Sequence, residues 1–337
     1  MIKCSVVILN WNGEQMLEQF LPSVIAHTEK EYEIVVADNG STDGSVEMLR
    51  RDFPSVRTLV FDKNYGFAEG YNKAIEQVES EYIVLLNSDV EVTSGWLRTM
   101  IRYLDANPNT VAVQPKILSY DSYKNSPAAV RFEHAGAAGG YIDGLGYPYC
   151  RGRKLDEKEI DHGQYDNPAF VFWTSGACMV VRREAYINCG GLDADFFAHM
   201  EEIDLCWRFN IIGYDLVCLP QSVVYHVGGG SLSYDSPRKV FLNFRNDALM
   251  LYKNMPIGRL MLVWFCRIFL DRLAALSYLL KGQLKNAFTV IKARYAAIGM
   301  LGKMHQKRKQ NKQAPYFNNP RLIYPFSYII HYKLHKS

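Results

Sequence analysis

Short β-branched runs alternate with helical stretches through the first 113 residues, and this alternation restricts the folds open to the chain. The strand-like runs are residues 5–9, 33–37, 57–61, 82–86 and 111–113, and the helical stretches are residues 14–27, 45–51, 68–77 and 96–107. Strands and helices in regular turn indicate an α/β fold, because helical crossovers join neighbouring parallel strands. We therefore expect a mostly parallel sheet flanked by helices.

The pattern changes after this region. Residues 119–168 are rich in Gly, Tyr, Pro and charge without a clear period, which indicates long loops or an irregular insertion. Regular structure is expected again as a strand at 177–181, a helix at 201–212 that stops at Gly213, and a strand at 215–219 that ends at Pro220. From about residue 237 onward the pattern is helical and basic.

Composition narrows the class of protein. A chain of 337 residues with 48% hydrophobic residues can bury a sizeable core, which excludes a disordered chain. The seven cysteines include no C-x-x-C pair, which favours reduced core thiols over a zinc site or a disulfide framework. The N-terminus opens into an apolar run without the pattern of a secretory signal peptide, so we expect a cytoplasmic protein.

Charge is divided unevenly along the chain. The formal net charge is +3, but thirteen of the 38 Lys and Arg follow Asp271, and none of the 35 acidic residues does. Residues 1–271 therefore hold 25 basic and 35 acidic side chains. A basic tail on an acidic body indicates that the tail meets an anionic surface, and we expect no nucleic-acid partner.

Polar residues follow the predicted strands repeatedly. Ligands of parallel α/β sheets bind beyond the carboxyl ends of the strands, where loops and helix N-termini gather. The strand-end residues are Asn10, Trp11 and Asn12; Asp38 and Asn39; Asn64 and Gly66; and Asn87, Ser88 and Asp89. Residues 38–45 alone could be an Asx turn and a helix cap, and residues 64–67 a β-turn. Their joint placement favours one polar rim that binds a ligand.

An ordered set of motifs carries a resemblance to a known family. The motifs are Val6-Val7-Ile8-Leu9-Asn10-Trp11-Asn12, Asp38-Asn39-Gly40-Ser41-Thr42-Asp43-Gly44-Ser45, Asn64-Tyr65-Gly66-Phe67 with Asn72, Leu85-Leu86-Asn87-Ser88-Asp89, Gly176-Ala177-Cys178-Met179, Glu201-Glu202-Ile203-Asp204-Leu205-Cys206-Trp207-Arg208, and Val224-Tyr225-His226 with Gly229 and Ser231. In this order they resemble the family-2 glycosyltransferases of the GT-A fold, particularly the bacterial rhamnosyltransferase-like branch. The resemblance runs from about Val6 to Ser231.

The resemblance implies a donor site and a metal. It implies that Asp38 contacts a nucleoside, that Asp89 ligates Mn²⁺ or Mg²⁺, and that His226 joins that ion. The other expected donor-binding residues are Asn10, Asn12, Asn39, Ser41, Asn64, Gly66, Asn72, Asn87 and Ser88. Asn87 stands where the family often has a second acid, so the diphosphate itself is expected to hold much of the metal. A polar packing role for His226 stays open.

Three acids crowd the start of the helix at 201–212. Acids in a first turn complement the helix dipole, but Glu201, Glu202 and Asp204 exceed that need, and mutual repulsion would raise at least one pKa. The resemblance implies that Glu202 is the general base, with Asp204 as the rival. The expected acceptor-side residues are Glu201, Gly176, Trp207 and Arg208, although Trp207 and Arg208 could equally serve to anchor the helix.

Other classes fit less well. An oxidoreductase of dinucleotide type needs a G-x-G-x-x-G loop after the first strand, and residues 10–14 hold one glycine. A nucleotidyltransferase would not explain the acidic helix with the downstream histidine, and a catalytically silent nucleotide-sugar-binding protein stays open. Processive synthases carry a Gln-x-x-Arg-Trp element that this chain lacks. We expect an inverting, metal-dependent transferase that moves one sugar from a nucleoside-diphosphate sugar to an acceptor hydroxyl in bacterial surface polysaccharide assembly.

The C-terminal region is expected to meet a membrane. We place a catalytic domain at 1–236, with its donor-binding part at 1–115 and its acceptor side at 116–236, and a basic helical region at 237–337.

The apolar stretch at 260–280 has charge-free runs of only seven and eight residues, whereas a spanning helix needs about twenty. Arg259, Lys281, Arg267 and Asp271 share one arc of the helix, with Arg272 outside it. We expect an interfacial helix on the inner face of the cytoplasmic membrane and a glycan or lipid-linked glycan acceptor, with a helix packed on the catalytic domain as the alternative.

Overall fold

A computed structural model describes residues 2–134, 136–155, 157–228, 236–311, 322–328 and 331–332. Gly229 and Ser231, which belong to the last of the predicted motifs, lie outside the described residues. Strands and helices alternate in the first third of the chain, as predicted. They are β1 (Ile2–Asn10), α1 (Glu14–His27), β2 (Glu33–Asp38), α2 (Ser45–Asp52), β3 (Arg57–Val60), α3 (Gly66–Glu76), β4 (Ser80–Asn87), β5 (Val90–Val92), α4 (Trp96–Ala106) and β6 (Thr110–Ser119).

The middle of the chain has more regular structure than the sequence predicted. Two pairs of short strands, and a short helix, lie within the region expected to be loops. The elements are α5 (Tyr120–Asn125), β7 (Gly140–Asp143), β8 (Pro148–Cys150), β9 (Arg153–Lys154), β10 (Glu157–Lys158), β11 (Ala169–Phe170), β12 (Cys178–Arg182), α6 (Arg183–Asn188), α7 (Glu201–Ile212) and β13 (Asp215–His226). The remaining elements are α8 (Pro237–Asn254), α9 (Ile257–Leu280), α10 (Leu284–Gly299), α11 (Leu301–Gln310) and β14 (Ile323–Tyr324).

The main sheet contains parallel and antiparallel pairs and is flanked by helices, which confirms the predicted α/β fold class. Within the described ranges it has nine strands in the order β11-β13-β6-β12-β4-β1-β2-β3, with β5 also paired to β13. β1 lies parallel to β2 and β4, with Asn10 opposite Asp38 and Leu9 opposite Asn87. β12 runs antiparallel between β4 and β6. The register therefore brings the polar ends of β1, β2 and β4 side by side.

β13 does not end at Pro220, contrary to our expectation. It continues to His226 beside β6, with a register shift between Leu219 and Val223. Proline cannot donate a ladder hydrogen bond, and a bulge leaves room for residues that are not paired. The continuation matters for the site because it carries His226 to the end of β6 and next to β5.

Two apolar clusters cover the two faces of the sheet. Alternate residues of each strand point to opposite faces, so Val6 and Val36 pack with α1, α2 and α4, while Val7 and Val35 pack with α3 and α7. The cluster that contains Val7 and Val35 also contains buried residues of α8, α9, α10 and α11. The C-terminal helices therefore share a core with the sheet.

The long helix α9 has two of its charged side chains inside and much of its apolar face outside. Arg267 is buried and pairs with Asp247 of α8, and Asp271 is buried and pairs with Arg294 of α10. We define the outer apolar face by its exposed large side chains on α9 and α10. These are Met261, Leu262, Phe265, Phe269, Leu273, Leu276, Leu280, Leu284, Phe288, Ile291, Tyr295 and Ile298.

The charges that border the outer apolar face are basic. Arg272, Lys281, Lys285 and Lys292 are exposed along α9, α10 and their connection, and the acid of that stretch, Asp271, is buried. No helix in the described part of the chain combines the length and the apolarity that crossing a membrane requires.

Candidate active site

The ends of β1 and β2 are joined by a buried polar network. The Asn10 amide donates to Asp38 Oδ2 at 3.0 Å, and Asp38 Oδ1 accepts from the Ser41 backbone N–H at 2.9 Å. The Asn12 backbone N–H donates to Ser41 Oγ at 2.9 Å. Asp38 is 1% exposed, so these bonds hold its carboxylate in one orientation at the rim. The predicted rim residues of the first two strands are thus neighbours.

A second network joins the loop after β2 to the start of α3. The Asn39 amide donates to the Gly66 carbonyl at 2.9 Å, and Asn39 Oδ1 accepts from the Tyr65 backbone N–H. Gly66 has φ +82°, and a Cβ there would lie 2.6 Å from the Phe197 ring. A side chain at this position would be strained and would clash, so the close approach of residue 197 requires glycine.

Asp89 and His226 meet at the ends of β4 and β13. His226 Nε2 lies 3.1 Å from Asp89 Oδ1 and 3.4 Å from the Asn87 amide nitrogen. On the other side of the ring, Nδ1 lies 3.4 Å from Oε2 of the buried Glu133. Burial opposes the charged imidazole, but Asp89 and then Glu133 raise the pKa of His226 to about 10. Burial alone would raise the pKa of Asp89, and His226 holds it below the ordinary value.

The spacing of this pair fits a divalent cation. Two neighbouring ligands of an octahedral ion, each about 2.1 Å from it, lie about 3 Å apart, which is close to the Asp89–His226 spacing. Among the described residues, no group of three or more His, Cys, Asp and Glu side chains is arranged to hold a metal. The pair can therefore supply two ligands, and the other positions would fall to a diphosphate and water.

A strained loop leads into α7 and its acids. Phe197, His199 and Met200 all have positive φ, which is uncommon for residues other than glycine. The amide of Asn246, on α8, donates to the carbonyls of residues 196, 198 and 199. This side chain holds the loop in its unusual conformation, as such strain requires support from the surrounding structure.

The two glutamates of α7 sit in an apolar setting. Burial raises the pKa of Glu202 to about 7. Burial, and then the charge of Glu202, raises the pKa of Glu201 well above its ordinary value. Within the described residues, Glu202 Oε2 has no hydrogen-bond partner. A carboxyl group with these properties can accept a proton near neutral pH.

Asp204 has a different environment. It is fully buried and accepts hydrogen bonds from Lys253 at 2.7 Å, Asn254 at 2.7 Å and Arg208 at 3.0 Å. Lys253 also bonds Asp193 at 2.6 Å. Two cations and an amide surround one carboxylate, so Asp204 fixes α8 against α7.

The family is shown by a match over more than half of the chain. The sequence profile of Glycosyl transferase family 2 matches residues 5–189. The chain belongs to this family. It is a glycosyltransferase of glycan biosynthesis, and the resemblance inferred from its motifs is confirmed.

Individual relatives of this glycosyltransferase agree. It is 27% identical over 267 residues to N-acetylglucosaminyl-diphospho-decaprenol L-rhamnosyltransferase of Mycobacterium tuberculosis, covering 73% of this chain and 83% of the relative. It is 22% identical to rhamnosyltransferase WbbL of Escherichia coli, covering 66% of this chain and 82% of the relative.

A solved structure shows the same fold. The mannosyltransferase PcManGT of Pyrobaculum calidifontis, solved in complex with GDP-Man and Mn²⁺, aligns with a TM-score of 0.53 and 14% identity over 93% of this chain and 84% of its own. The glycosyltransferase has the GT-A fold.

Not every predicted site residue of the glycosyltransferase reaches the rim. The Asn72 amide is bonded to the Tyr186 hydroxyl and to both backbone groups of Leu192, so its contacts tie α3 to the loop after α6. Trp207 is buried and packs edge-on against Phe172. Arg208 is buried and donates to Asp204 and to backbone carbonyls. Both side chains are enclosed by contacts within the protein, which is the arrangement that the anchoring alternative describes, and their acceptor-side role stays a prediction.

Gly176 connects the two sides of the site. The Asn87 backbone N–H donates to the Ala177 carbonyl at 3.0 Å, and a Cβ on Gly176 would lie 3.7 Å from the Glu202 Cβ. The end of β4, with Ser88 beside Asn87, is therefore next to the start of α7. Glu133, which sequence reasoning missed, sits in the region expected to be irregular, and no local pattern marks it.

Proposed function

We propose that this glycosyltransferase moves one sugar, with inversion, from a nucleoside-diphosphate sugar to an acceptor hydroxyl with the help of Mn²⁺ or Mg²⁺. The observation that carries the proposal is the Asp89–His226 pair, which lies at the strand ends beside the Asn10–Asp38 network and across Gly176 from Glu202. The divalent cation would offset the negative charge of the leaving diphosphate.

The protein groups divide the remaining work. Asp38, held by Asn10 and Ser41, is oriented to accept hydrogen bonds from the donor nucleoside. Asp89 and His226 offer the oxygen and nitrogen that would hold the ion. Glu202 takes the proton of the acceptor hydroxyl, since its pKa of about 7 lets it be ionised and still basic near neutral pH. A base on the face opposite the leaving group produces inversion.

The acceptor is proposed to be a glycan or a lipid-linked glycan in the assembly of a bacterial surface polysaccharide. The name of the Mycobacterium tuberculosis relative describes transfer onto a diphospho-decaprenol acceptor. We propose that the enzyme works on the inner face of the cytoplasmic membrane, bound peripherally to anionic lipid. The outer apolar face supports this location, because its basic border matches an anionic surface and its apolar side chains match the lipid interface.

A donor panel tests the chemistry. We expect the protein to release nucleotide from one of the UDP-, dTDP- or GDP-sugars when acceptor is present, and NMR of the product to show an inverted anomeric centre. Turnover should stop in excess EDTA and return with Mn²⁺. Asp89→Ala should lose at least about 10²-fold in kcat, the usual scale for one electrostatic stabiliser.

A matched acid controls for charge alone. Glu91 lies two residues after Asp89 and pairs with Lys124 at 3.2 Å, whereas the acids that contact His226 are Asp89 and Glu133. Glu91→Ala should keep near-native turnover. Full activity of the native enzyme in EDTA would refute the metal requirement, and a retained anomeric configuration would refute the inverting mechanism.

A further inference from the structure

Glu133 is a buried acid outside the set of residues that the proposed mechanism uses. Glu133 is 1% exposed. It lies beside β6, because its backbone N–H donates to the Ile117 carbonyl at 3.1 Å. Burying a carboxylate is costly unless its charge is matched, so its position calls for a partner group. His226 is such a group, since its Nδ1 lies 3.4 Å from Glu133 Oε2.

The two ring nitrogens of His226 face two different acids. Nε2 is directed at Asp89 and Nδ1 at Glu133. An imidazole ligates a cation through one ring nitrogen, and a group that contacts the other nitrogen orients the ring. Glu133 beside Nδ1 therefore fixes the direction of the imidazole ring, so that Nε2 stays next to Asp89.

We propose that Glu133 is a positioning residue that orients the His226 ring so that Nε2 and Asp89 bind one divalent cation together. The inference rests on the proposed metal-assisted function. It assigns Glu133 a role through His226 and not as a ligand, because the ring stands between Glu133 and the Asp89 side. In this geometry loss of Glu133 lowers the metal affinity, and turnover falls as a consequence of the weaker metal binding.

A purely electrostatic role is the alternative. Lys239, in the first turn of α8, is partly buried, and burial lowers its pKa while the charge of Glu133 raises it. If Glu133 served only to balance nearby cations, its removal would change metal affinity without any need for His226. The two roles therefore differ in whether the effect depends on the histidine.

A double-mutant cycle with Mn²⁺ as the probe separates these roles. Free Mn²⁺ is measured by electron paramagnetic resonance in titrations of the full chain with and without UDP, for the native protein, Glu133→Gln, His226→Ala and the double variant. We expect Glu133→Gln to weaken Mn²⁺ binding at least about 10-fold, the range seen when the hydrogen-bond partner of a metal ligand is removed. In the His226→Ala background the same change should have less than about a 2-fold effect.

Controls keep each outcome interpretable. Glu91→Gln removes a nearby acid that does not contact His226 and should leave the Mn²⁺ affinity unchanged. Glu133→Asp withdraws the carboxylate by one methylene and should reproduce the loss if Glu133→Gln does not fold. Equal Mn²⁺ affinity of native protein and Glu133→Gln, or equal losses in both backgrounds, overturns the role of Glu133 while the metal-dependent function stands. If the native protein binds no Mn²⁺ even beyond what the nucleoside diphosphate binds by itself, both the role of Glu133 and the metal-dependent function are overturned.

Discussion

Two acids in the first turn of α7 differ in what surrounds them. Asp204 is enclosed by Lys253, Asn254 and Arg208, so its negative charge is matched inside the protein. Glu202 faces the Gly176 side of the site, and burial favours its protonated form. A carboxylate that is already bonded to two cations is a poor base, whereas one with a raised pKa is a suitable base. The contrast favours Glu202 over its rival.

The pH dependence of the rate follows from the raised pKa of Glu202. The base must be ionised, so kcat/KM should rise with pH through about 7 and level off above it. At pH 6 roughly a tenth of the molecules would carry the ionised base. The expectation is tested by measuring kcat/KM from initial rates of nucleotide release between pH 5.5 and 8.5. A rate that falls as pH rises through 7 would contradict the assignment.

Substitution of the two acids should have different consequences. Glu202→Gln should lower kcat by about 10² to 10⁴-fold and leave donor binding intact. Asp204→Asn should instead lower the melting temperature, because Lys253 would lose a buried partner. If Glu202→Gln turned over at the native rate while Asp204→Asn folded normally and was inactive, the roles would be exchanged.

The positions of single residues were predictable where strand order and register determine their neighbours. Asn10, Asp38 and Asn87 end adjacent parallel strands, and the register alone brings them together. Glu133 and His226 are distant in sequence and meet through a loop path that no periodicity records. Asn72 was predicted to bind the donor, but its amide bonds both backbone groups of Leu192. A sequence motif does not reveal which hydrogen bonds a side chain makes.

At the scale of elements, α8 braces the catalytic helix. Lys253 joins Asp193 and Asp204, and Asn246 holds the strained loop before α7. Both contacts are buried, so they depend on the complete set of partners. Removing one partner leaves a buried charge unmatched, which costs more than the pair itself contributes.

Lys253→Met tests this brace. We expect the free energy of unfolding to fall by about 3–5 kcal/mol, because Asp193 and Asp204 would both lose a buried cation. Urea denaturation followed by circular dichroism measures the change. Lys124→Met is a matched control, since Lys124 forms an exposed pair with Glu91 and should change stability by less than about 1 kcal/mol. Equal changes in the two variants would contradict the brace.

Element positions followed from periodicity, but two features did not. The sequence predicts that β13 stops at Pro220, and a bulge carries the strand past the proline to His226. The sequence shows that charged residues share one side of α9, but not whether that side faces the protein or the solvent. Arg267 and Asp271 face inward because Asp247 and Arg294 on neighbouring helices match them, and partners on other helices are invisible to a local pattern.

At the scale of the whole molecule, the outer apolar face is an exposed apolar surface that the proposed chemistry does not use. Large contiguous apolar patches on a protein surface usually mark an interaction site. The buried charge pairs on the inner side of α9 leave its apolar side chains facing outward, and basic residues border them. An anionic lipid surface matches both properties, because apolar side chains enter the interface and basic ones meet the headgroups.

Vesicle flotation tests the membrane proposal. We expect the full chain to bind vesicles with anionic lipid, to bind neutral vesicles weakly, and to bind less in high salt. The double variant Phe265→Gln and Phe288→Gln should reduce binding about 10-fold or more, since these side chains are 74% and 68% exposed. Phe170→Gln is the matched control on the sheet edge, at 53% exposed, and should bind as the native protein does.

The comparison of variants also separates lipid from self-association. A native protein that does not float, or a double variant that floats as well as the native protein, would contradict the proposal. If the native protein instead forms a dimer that the double variant loses, the outer apolar face joins two copies. Point substitutions are preferable to removal of residues after Ser236, because that removal would strip Lys253 from Asp193 and Asp204.

The bonds of Lys253 and Asn246 also decide how this enzyme can be recombined with its relatives. A chimera that joined the strands and α7 of one relative to the C-terminal helices of another would have to match Asp193, Asp204 and the carbonyls of residues 196, 198 and 199 at once. A fusion point at residue 236 divides these partners between two parents. A chimera made to exchange substrate preference or location must therefore take the loop before α7, α7 and α8 from the same parent.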